Sequence, residues 1–358
     1  LYGIFIIICN KSLIGFFSIA DDTIVDMAQT YLIVMGIGMI FMFINPMLTS
    51  IFTGIGDSKT PFVTNTIGLV LNIVLDPILI FGIAGFPALG VLGAALATVL
   101  AQVVVTICFI FAILRRKEEY LKLNILSRPC LEDMKTLTTI GFPVAIQNGL
   151  FTIIGIVIGR IVASWGPIPI AVQKVGSQIE SISWMTASGL STALSTFVGQ
   201  NYGAKKYDRI QDGLKVTMLL AIFIGTLATF LLVAFGEEIF AIFIPEEESI
   251  AQGADYLRIL GYSQIFMCIE ITSAGLFNGL GKTYIPSTVH TILTSLRIPL
   301  AYWASQPQYL GIDGIWWVIT LTTVAKGIIM VVLYIYLKQK DKLYDYSEIQ
   351  ETERVAEC

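Results

Sequence analysis

The chain repeats itself at a shift of 225 residues within a very apolar sequence. Phe41-Met42-x-Ile44 returns as Phe266-Met267-x-Ile269, and Phe52-x-Gly54-x-Gly56-x4-Pro61 returns as Phe277-x-Gly279-x-Gly281-x4-Pro286. After a gap of four residues, Leu89-Gly90-Val91-x-Gly93 returns as Leu310-Gly311-Ile312-x-Gly314. Membrane transporters are often built from two such copies, with the binding site at the interface between them. We therefore expect a transporter made of two related halves.

The composition predicts an all-α polytopic membrane protein. Hydrophobic residues make up 55% of the chain and charged residues 13%, and the mean hydropathy is +0.79. A helix needs about 20 apolar residues to cross a bilayer core of roughly 30 Å. Windows of that length predict spans near 28–52, 62–82, 89–114, 140–164, 172–198, 215–236, 254–278, 285–304 and 313–337. Residues 1–18 predict an incomplete tenth span.

Basic residues occur in every second connection between these spans. Of the 22 Lys and Arg residues, 16 lie in these connections: Lys59, Arg115, Arg116, Lys117, Lys122, Arg128, Lys135, Lys205, Lys206, Arg209, Lys215, Lys282, Lys338, Lys340, Lys342 and Arg354. The intervening connections contain no Lys or Arg, and they include the acidic residues Asp21, Asp22 and Glu246 to Glu248. The positive-inside rule therefore predicts that the basic connections and the C-terminus are cytoplasmic.

The register of the repeat predicts that the first copy is incomplete. Residue 1 aligns with residue 226, whereas the second copy begins near Gly141, so the counterpart of 141–225 is not in the chain. Two spans and part of a third would complete a twelve-helix protein. We therefore assign 1–114 to an N-terminal lobe (transmembrane helices 3–6), 115–139 to a cytoplasmic linker, 140–338 to a C-terminal lobe (helices 7–12) and 339–358 to a cytoplasmic tail. The linker is expected to contain an interfacial helix interrupted at Pro129.

Several segments resemble the multidrug and toxic compound extrusion (MATE) family. They are the repeated Gly-x-Gly-x4-Pro connection, the block Asn72-Ile-Val-Leu-Asp76-Pro-Ile-Leu-Ile-Phe-Gly82, Gly141-Phe-Pro143, and Phe197-Val-Gly-Gln-Asn-Tyr-Gly-Ala204. The resemblance covers nearly the whole chain. It implies the MATE fold of two six-helix lobes, here without the first two helices and part of the third.

The resemblance also implies a function. It implies efflux of organic, often cationic, compounds in exchange for H+ or Na+ by alternating access, with no other cofactor. We expect a monomer in the cell membrane whose partners are its substrates and the lipid bilayer, with no nucleic acid. Phe151 stands where the NorM-like branch has an acidic residue, so the Asn-x3-Asp pattern is more similar to the DinF-like branch.

Asp76 is the leading candidate for ion coupling. A carboxylate inside an apolar span costs about 2.5–3.5 kcal/mol on insertion scales, so it normally faces a partner or a polar cavity. Asn72 lies one helical turn earlier on the same face, where its amide can hydrogen-bond the carboxyl. The site suits a proton, and Na+ is an alternative. Pro77 interrupts the helix ladder and is the candidate hinge. The resemblance adds Thr98 to this polar cluster.

The second half carries different polar residues. Glu270 replaces Asn45 of the first copy, and it is either a second protonation site or a counter-ion for a cationic drug; the alternative is an ion pair with Arg297 or Lys326. Arg297 and Ala301 replace Asn72 and Asp76, which favours ion coupling in the first lobe. Glu180 resembles a family glutamate and either lines the second lobe or pairs with Lys174. Gln147 is a further neutral candidate. His290, the single histidine, is expected to be packed and neutral rather than a proton relay.

Two other classes are less well supported. A flippase for lipid-linked oligosaccharide, from the same superfamily, would need a strongly cationic cavity, and few basic residues lie inside the spans. A membrane-embedded enzyme would need convergent nucleophile motifs, and the sequence has none. We therefore predict that the protein is not an enzyme.

Overall fold

The computed structural model describes residues 2–15, 21–116, 130–340 and 342–344, and its regular elements are all helices. This confirms the all-α prediction. The chain forms two compact units, Leu1–Ser127 and Arg128–Cys358. We call them the first and second units.

The first unit contains four α-helices: α1 (Tyr2–Gly15), α2 (Asp22–Gly54), α3 (Lys59–Phe81) and α4 (Val91–Arg115). The side chain of Asp21 caps α2 by accepting a hydrogen bond from the Thr23 amide at 2.8 Å. Gly82 ends α3 in the left-handed region at φ 72°, where a side chain would be strained. Helix α4 packs against both α2 and α3, and α1 packs against α2.

The second unit contains nine described helices. They are α5 (Leu131–Ala163), α6 (Pro167–Gly203), α7 (Tyr207–Ala234), α8 (Gly236–Ala241), α9 (Glu247–Gly261), α10 (Gln264–Gly279), α11 (Tyr284–Ser295), α12 (Arg297–Ala304) and α13 (Asp313–Gln339). Helix α10 lies at the centre, packed against α6, α7 and α13. Fully buried apolar side chains such as Leu257, Phe277 and Ile315 fill the space between these helices.

Among the described residues, six helices are long and apolar enough to cross a membrane: α2, α3, α4, α5, α7 and α13. A seventh span results if α9 and α10, which meet at an angle of 49°, are counted together. Helix α6 and the pair α11–α12 occupy the predicted spans 172–198 and 285–304 and are not among these six.

The repeat is visible in the helix boundaries. At the 225-residue shift, α2 corresponds to α9 with α10, and α3 corresponds to α11 with α12. After the gap of four residues, α4 corresponds to α13. The helices of the first unit are continuous, whereas both counterparts in the second unit are broken. Pro299 in α12 has no amide hydrogen to donate to the carbonyl of Ser295, the last residue of α11, so one backbone hydrogen bond is missing at this break.

The predicted linker lies mostly outside the described residues. Residues 117–129, including Pro129, are in that part of the chain. Helix α5 begins at Leu131, so 131–139 continues directly into the span predicted at 140–164. Most of the predicted tail, 345–358, is also outside the described residues.

Candidate functional site

Asn72 and Asp76 lie together on α3 in the first unit. The Asn72 side-chain amide donates a hydrogen bond to Asp76 Oδ1 at 3.3 Å, as their spacing of one helical turn predicts. Both residues are half-buried. The pair is therefore a polar site on an otherwise apolar helix.

Thr98 and Pro77 do not add a described contact to this pair. The Thr98 hydroxyl donates to the Ala94 carbonyl of its own helix α4 at 3.0 Å. Helix α3 runs through Pro77 as one helix to Phe81. Their proposed roles as cluster member and hinge remain predictions.

Asn45 forms the buried polar contact between α2 and α4. Its amide donates to the Gln102 carbonyl and to Gln102 Oε1, at 2.9 and 2.7 Å. Its oxygen accepts from the Thr106 hydroxyl at 2.7 Å. This neutral amide network is the first unit's counterpart of the charged site at Glu270.

Glu270, on α10, lies in a buried ionic cluster. Its carboxylate is 3.3 Å from Lys326 Nζ on α13 and 3.0 Å from His290 Nδ1 on α11. Lys326 Nζ is also 3.4 Å from His290 Nδ1. Of the two bases that the sequence offered as partners, the structure selects Lys326.

His290 is a member of this cluster, which the sequence did not predict. Its ring lies 5.7 Å from the ring of Phe151 on α5, so it is packed as expected. Its nitrogen, however, faces a carboxylate and an ammonium group rather than apolar neighbours. Nδ1 can donate to the Glu270 carboxylate in one tautomer or accept from Lys326 Nζ in the other, so the tautomer decides which of the two hydrogen bonds forms.

Arg297, at the start of α12, is held by neutral acceptors on α13. It donates to the hydroxyls of Thr322 and Thr323, both at 2.8 Å, and to the Ile319 carbonyl at 3.4 Å. It is within electrostatic range of Glu180 and Glu270. The two bases Arg297 and Lys326 are thus balanced by two carboxylates, unlike the cationic cavity expected of a flippase.

Glu180, on α6, faces neutral hydrogen-bond donors. Gln264 Nε2 donates to its carboxylate at 2.8 Å, and the Tyr256 hydroxyl donates at 3.2 Å. Gln264 is fixed in turn because its oxygen accepts from Ser183 at 2.6 Å. Lys174 is exposed, and the carboxylate's described partners are these two donors. Gln147 is half-buried on α5 and joins neither cluster within the described residues.

The break between α9 and α10 lies next to Glu180, since Gln264 is the first residue of α10. A break leaves helix carbonyls without their usual partners. The Thr320 hydroxyl of α13 donates to the Ile259 carbonyl at 2.9 Å, and the Thr229 hydroxyl of α7 donates to the Gly261 carbonyl at 2.8 Å. The bend is therefore stabilised by two neighbouring helices, a feature that the apolar window at 254–278 did not predict.

One sequence signal could have found the Glu270 cluster. In the repeat alignment, Glu270, His290 and Lys326 replace Asn45, Asn65 and Val105. Three positions therefore change from neutral to ionisable between the copies. Buried ionisable groups normally pair, so three such changes together indicate a single cluster.

Comparison with known proteins then places the chain in a family. A family model described as MatE matches residues 1–78 and 143–303, which is more than half of the sequence. The chain belongs to the MatE family.

Curated MatE relatives resemble the chain over most of its length. The probable multidrug resistance protein NorM of Thermotoga maritima is 29% identical over 305 residues, covering 85% of this chain and 66% of its own length. The probable multidrug resistance protein YoeA of Bacillus subtilis is 30% identical over 301 residues, covering 82% of this chain and 65% of its own length. The chain thus spans about two thirds of the length of these relatives.

A solved structure shares the fold. A crystal structure of MATE in the bent conformation matches with a TM-score of 0.85 at 20% identity, over 96% of this chain and 76% of that chain. This likeness confirms the MATE fold predicted from the sequence.

Proposed function

We propose that this MatE protein is a secondary active transporter that exports small organic, often cationic, compounds from the cell in exchange for H+. Relatives named as multidrug resistance proteins support the substrate class. Ionisable side chains inside apolar spans support ion coupling, because such residues are costly unless function requires them. We expect it to work as a monomer in the cell membrane.

The observation that carries the proposal is the contrast between Glu180 and Glu270. Glu270 is tied to Lys326 and His290, so protonating it would leave a buried ammonium without its counter-ion. Glu180 has two neutral donors at hydrogen-bond distance and interacts with Arg297 only at longer range, so it can take up or release a proton without breaking a direct salt bridge. Glu180 is therefore the better group for a reversible change of charge in the second unit.

The partners of Glu180 favour H+ over Na+. Sodium is held by several oxygen acceptors, such as the carbonyls of unwound helices. The described groups in hydrogen-bond contact with Glu180 are an amide N–H and a hydroxyl, which both donate to the carboxylate, and the charged group within electrostatic range is the cation Arg297. The Ile259 and Gly261 carbonyls freed by the break already accept from Thr320 and Thr229.

Asp76 is the proposed coupling group of the first unit. Its hydrogen bond from Asn72 would be rearranged when the carboxyl takes up a proton, and a Na+ ion is the alternative occupant. Coupling through this pair is what the DinF-like assignment implies. A change at Asp76 would act on α3 beyond Pro77, where the helix has lost one backbone hydrogen bond.

The two repeats support transport by alternating access. Parallel copies that differ in their buried charges can respond differently to the same ion, so that one moves relative to the other. In the proposed orientation the basic connections are cytoplasmic, and protons flow inward while the drug leaves.

The test measures ethidium transport in proteoliposomes under separately imposed H+ and Na+ gradients. We expect a proton gradient alone to drive transport. Glu180→Gln keeps the side chain's size but cannot titrate, so it should slow proton-driven transport by about 10²-fold or more. Glu237→Gln, an identical change at an exposed position on α8, is the matched control and should behave as wild type.

The other possible results of these transport measurements each contradict one part of the proposal. Transport driven by Na+ alone would overturn H+ coupling, and no transport under either gradient would overturn efflux. Proton-driven transport at the wild-type rate in Glu180→Gln would remove Glu180 from the mechanism. Asp76→Asn, measured in the same assay, tests the first unit independently.

A further inference from the structure

Tyr256 of α9 is fixed in a tightly packed position beside Glu180. It is 3% exposed, and its ring lies 4.7 Å from the ring of the buried Trp316 of α13, at an interplanar angle of 77°. The Tyr256 ring also lies against α6 at Gly176, where a Cβ would overlap the ring atoms Cε1 and Cδ1. Because glycine leaves this space open, the Tyr256 hydroxyl reaches the Glu180 carboxylate, one helical turn further along α6, at 3.2 Å.

The two hydrogen-bond partners of Glu180 come from opposite sides of the bend between α9 and α10. The Tyr256 hydroxyl, on α9, donates to Oε2 of the carboxylate, and Gln264 Nε2, at the start of α10, donates to Oε1 at 2.8 Å. The carboxylate therefore bridges the break between the two helices. A change in its protonation has to be matched by its partners on both helices, because a buried polar group without a matching partner is costly.

Gln264 is held in its role as a donor to Glu180. Its Nε2 also donates to the Leu260 carbonyl at 3.3 Å, and its oxygen accepts from the Ser183 hydroxyl at 2.6 Å. Turning the amide over would bring its oxygen against the Leu260 carbonyl and Glu180 Oε1, which are both acceptors. Oε1 therefore remains the acceptor of the Gln264 hydrogen bond whether or not Glu180 carries a proton.

Tyr256, in contrast, can change its role. A phenolic hydroxyl is both a donor and an acceptor, so it can donate to a carboxylate oxygen or accept from a protonated one. The charged group that acts on Glu180 is the Arg297 guanidinium of α12, which is a donor without acceptor capacity. Among the described residues, α5 and α7 place no charged or titratable group within range of Glu180. Tyr256 is therefore the partner that fits both protonation states.

We propose that Tyr256 positions Glu180 for proton uptake at Oε2, and that its hydroxyl changes from donor to acceptor when the proton arrives. This inference rests on the proposed H+ coupling at Glu180. The proton binds a lone pair of Oε2, and the new O–H donates to the Tyr256 oxygen while the phenolic hydrogen turns away about its C–O bond. Gln264 donates to Oε1 throughout. Release reverses these steps, so one proton is gained or lost and no other covalent bond changes.

The test follows the Glu180 carboxyl group by infrared difference spectroscopy while the full chain, reconstituted in lipid, is titrated with acid. The carboxyl C=O band of Glu180 is assigned by its loss in Glu180→Gln. Tyr256→Phe removes the hydroxyl and keeps the ring that packs against Gly176 and Trp316. Tyr31→Phe is the matched control, because Tyr31 is the equivalent residue of the first copy and its hydroxyl has no hydrogen-bond partner among the described residues.

We expect the carboxyl band of Tyr256→Phe to titrate about one pH unit higher than that of wild type, which is a tenfold change in proton affinity. A hydrogen bond to the charged carboxylate is stronger than one to the neutral acid, so losing the hydroxyl favours the protonated form. The pH at which proton-driven ethidium transport is half-maximal should move in the same direction. Tyr31→Phe should leave both quantities unchanged.

A second pair of variants displaces the Tyr256 hydroxyl without removing it. Gly176→Ala places a methyl group where the Tyr256 ring lies, so it should move the hydroxyl away from Glu180 and shift the titration in the same direction as Tyr256→Phe. Gly189→Ala, on the same helix, has no atom within 4 Å of its would-be Cβ and should titrate as wild type does. Melting temperatures, measured for all variants, show which of them are folded.

A purely structural role for Tyr256 would give a different pattern. Gly176→Ala would then lower the melting temperature, while a folded Tyr256→Phe protein would titrate at the wild-type pH. That result would overturn the positioning role of Tyr256, even if Glu180 itself binds the coupled proton. If no titrating band of the wild-type protein disappears in Glu180→Gln, it is the proposed H+ coupling at Glu180 that fails, and the role of Tyr256 fails with it.

Discussion

Lys326 keeps the carboxylate of Glu270 compatible with its buried position. Lys326→Met should lower the free energy of unfolding by about 3–5 kcal/mol, because it leaves a buried carboxylate without its ammonium partner. The loss would appear as a lower melting temperature in detergent. Lys338→Met is the matched control on the same helix, since Lys338 is exposed and should contribute no more than about 1 kcal/mol.

A second substitution separates the lost ion pair from lost packing. The double variant Lys326→Met/Glu270→Gln removes both charges, so most of the stability should return. If the double variant melts as low as Lys326→Met alone, the effect comes from packing around Lys326 and not from the unpaired carboxylate.

Asp57 gives a pH-dependent contribution at the turn between α2 and α3. Burial alone would raise the pKa of its carboxyl, but hydrogen bonds from Thr60 and the nearby Arg116 guanidinium outweigh burial and lower the pKa below its usual 3.8. The folded state thus binds its proton less readily than the unfolded state. The stabilisation is therefore full above the unfolded pKa of about 4 and is lost as the pH falls further.

Asp57→Ala should accordingly cost about 1–2 kcal/mol at pH 7, from the lost hydrogen bonds to the start of α3 and the lost ion pair. The difference from wild type should shrink as the pH is lowered through 4 towards 3, as measured by thermal melting. Asp212→Ala, which removes an exposed partner of Lys215, is the control and should change little at any pH. A pH-independent loss in Asp57→Ala would contradict the ionic origin.

At this scale, the sequence predicts contacts within a helix better than contacts between helices. Asn72 and Asp76 are one turn apart, so their hydrogen bond follows from helix geometry alone. Glu270 and Lys326 lie on different helices, and no local spacing selects Lys326 over Arg297. That choice depends on how α10, α11 and α13 pack, which the single sequence does not specify.

At the scale of elements, the bend between α9 and α10 depends on close packing by small residues. A Cβ at Gly225 of α7 would lie 2.6 Å from Ile265 Cα, at the start of α10. Gly225→Ala should therefore push α7 away from the bend and lower the free energy of unfolding by about 1–3 kcal/mol.

The control substitution is expected to raise the free energy of unfolding, whereas Gly225→Ala should lower it. Gly189 of α6 has no atom within 4 Å of its would-be Cβ, so Gly189→Ala should stabilise the helix by about 0.5–1 kcal/mol. Both variants would be compared by melting temperature in the same detergent. Equal effects of the two changes would show that helix propensity, and not contact with the bend, decides the outcome.

The sequence predicts where these elements lie but not where they break. The 225-residue shift relates α2 to α9 and α10 with matching ends, because both copies have the same span length. The bend lies within an unbroken apolar window, and its carbonyls are satisfied by Thr229 and Thr320 on other helices. Hydropathy averages over a window and carries no information about such partners.

For the whole molecule, the two copies should cross the membrane in the same direction. Each complete copy is predicted to contain six spans, and an even number returns the chain to the side from which it started. The alternating basic connections agree with this arrangement and assign that side to the cytoplasm. Orientation is therefore a property that can be checked in both units with one chemical probe.

Single exposed cysteines, introduced after the native cysteines are replaced, test this orientation. Ala88→Cys and Ser164→Cys lie in connections without basic residues, so a membrane-impermeant maleimide should label them in intact cells. Ser58→Cys and Ala204→Cys lie beside basic residues and should be labelled only after the membrane is permeabilised. A cytoplasmic protein labelled in the same cells reports on membrane integrity. The reverse pattern in both units would overturn the orientation, and opposite patterns in the two units would overturn the parallel relation between the repeats.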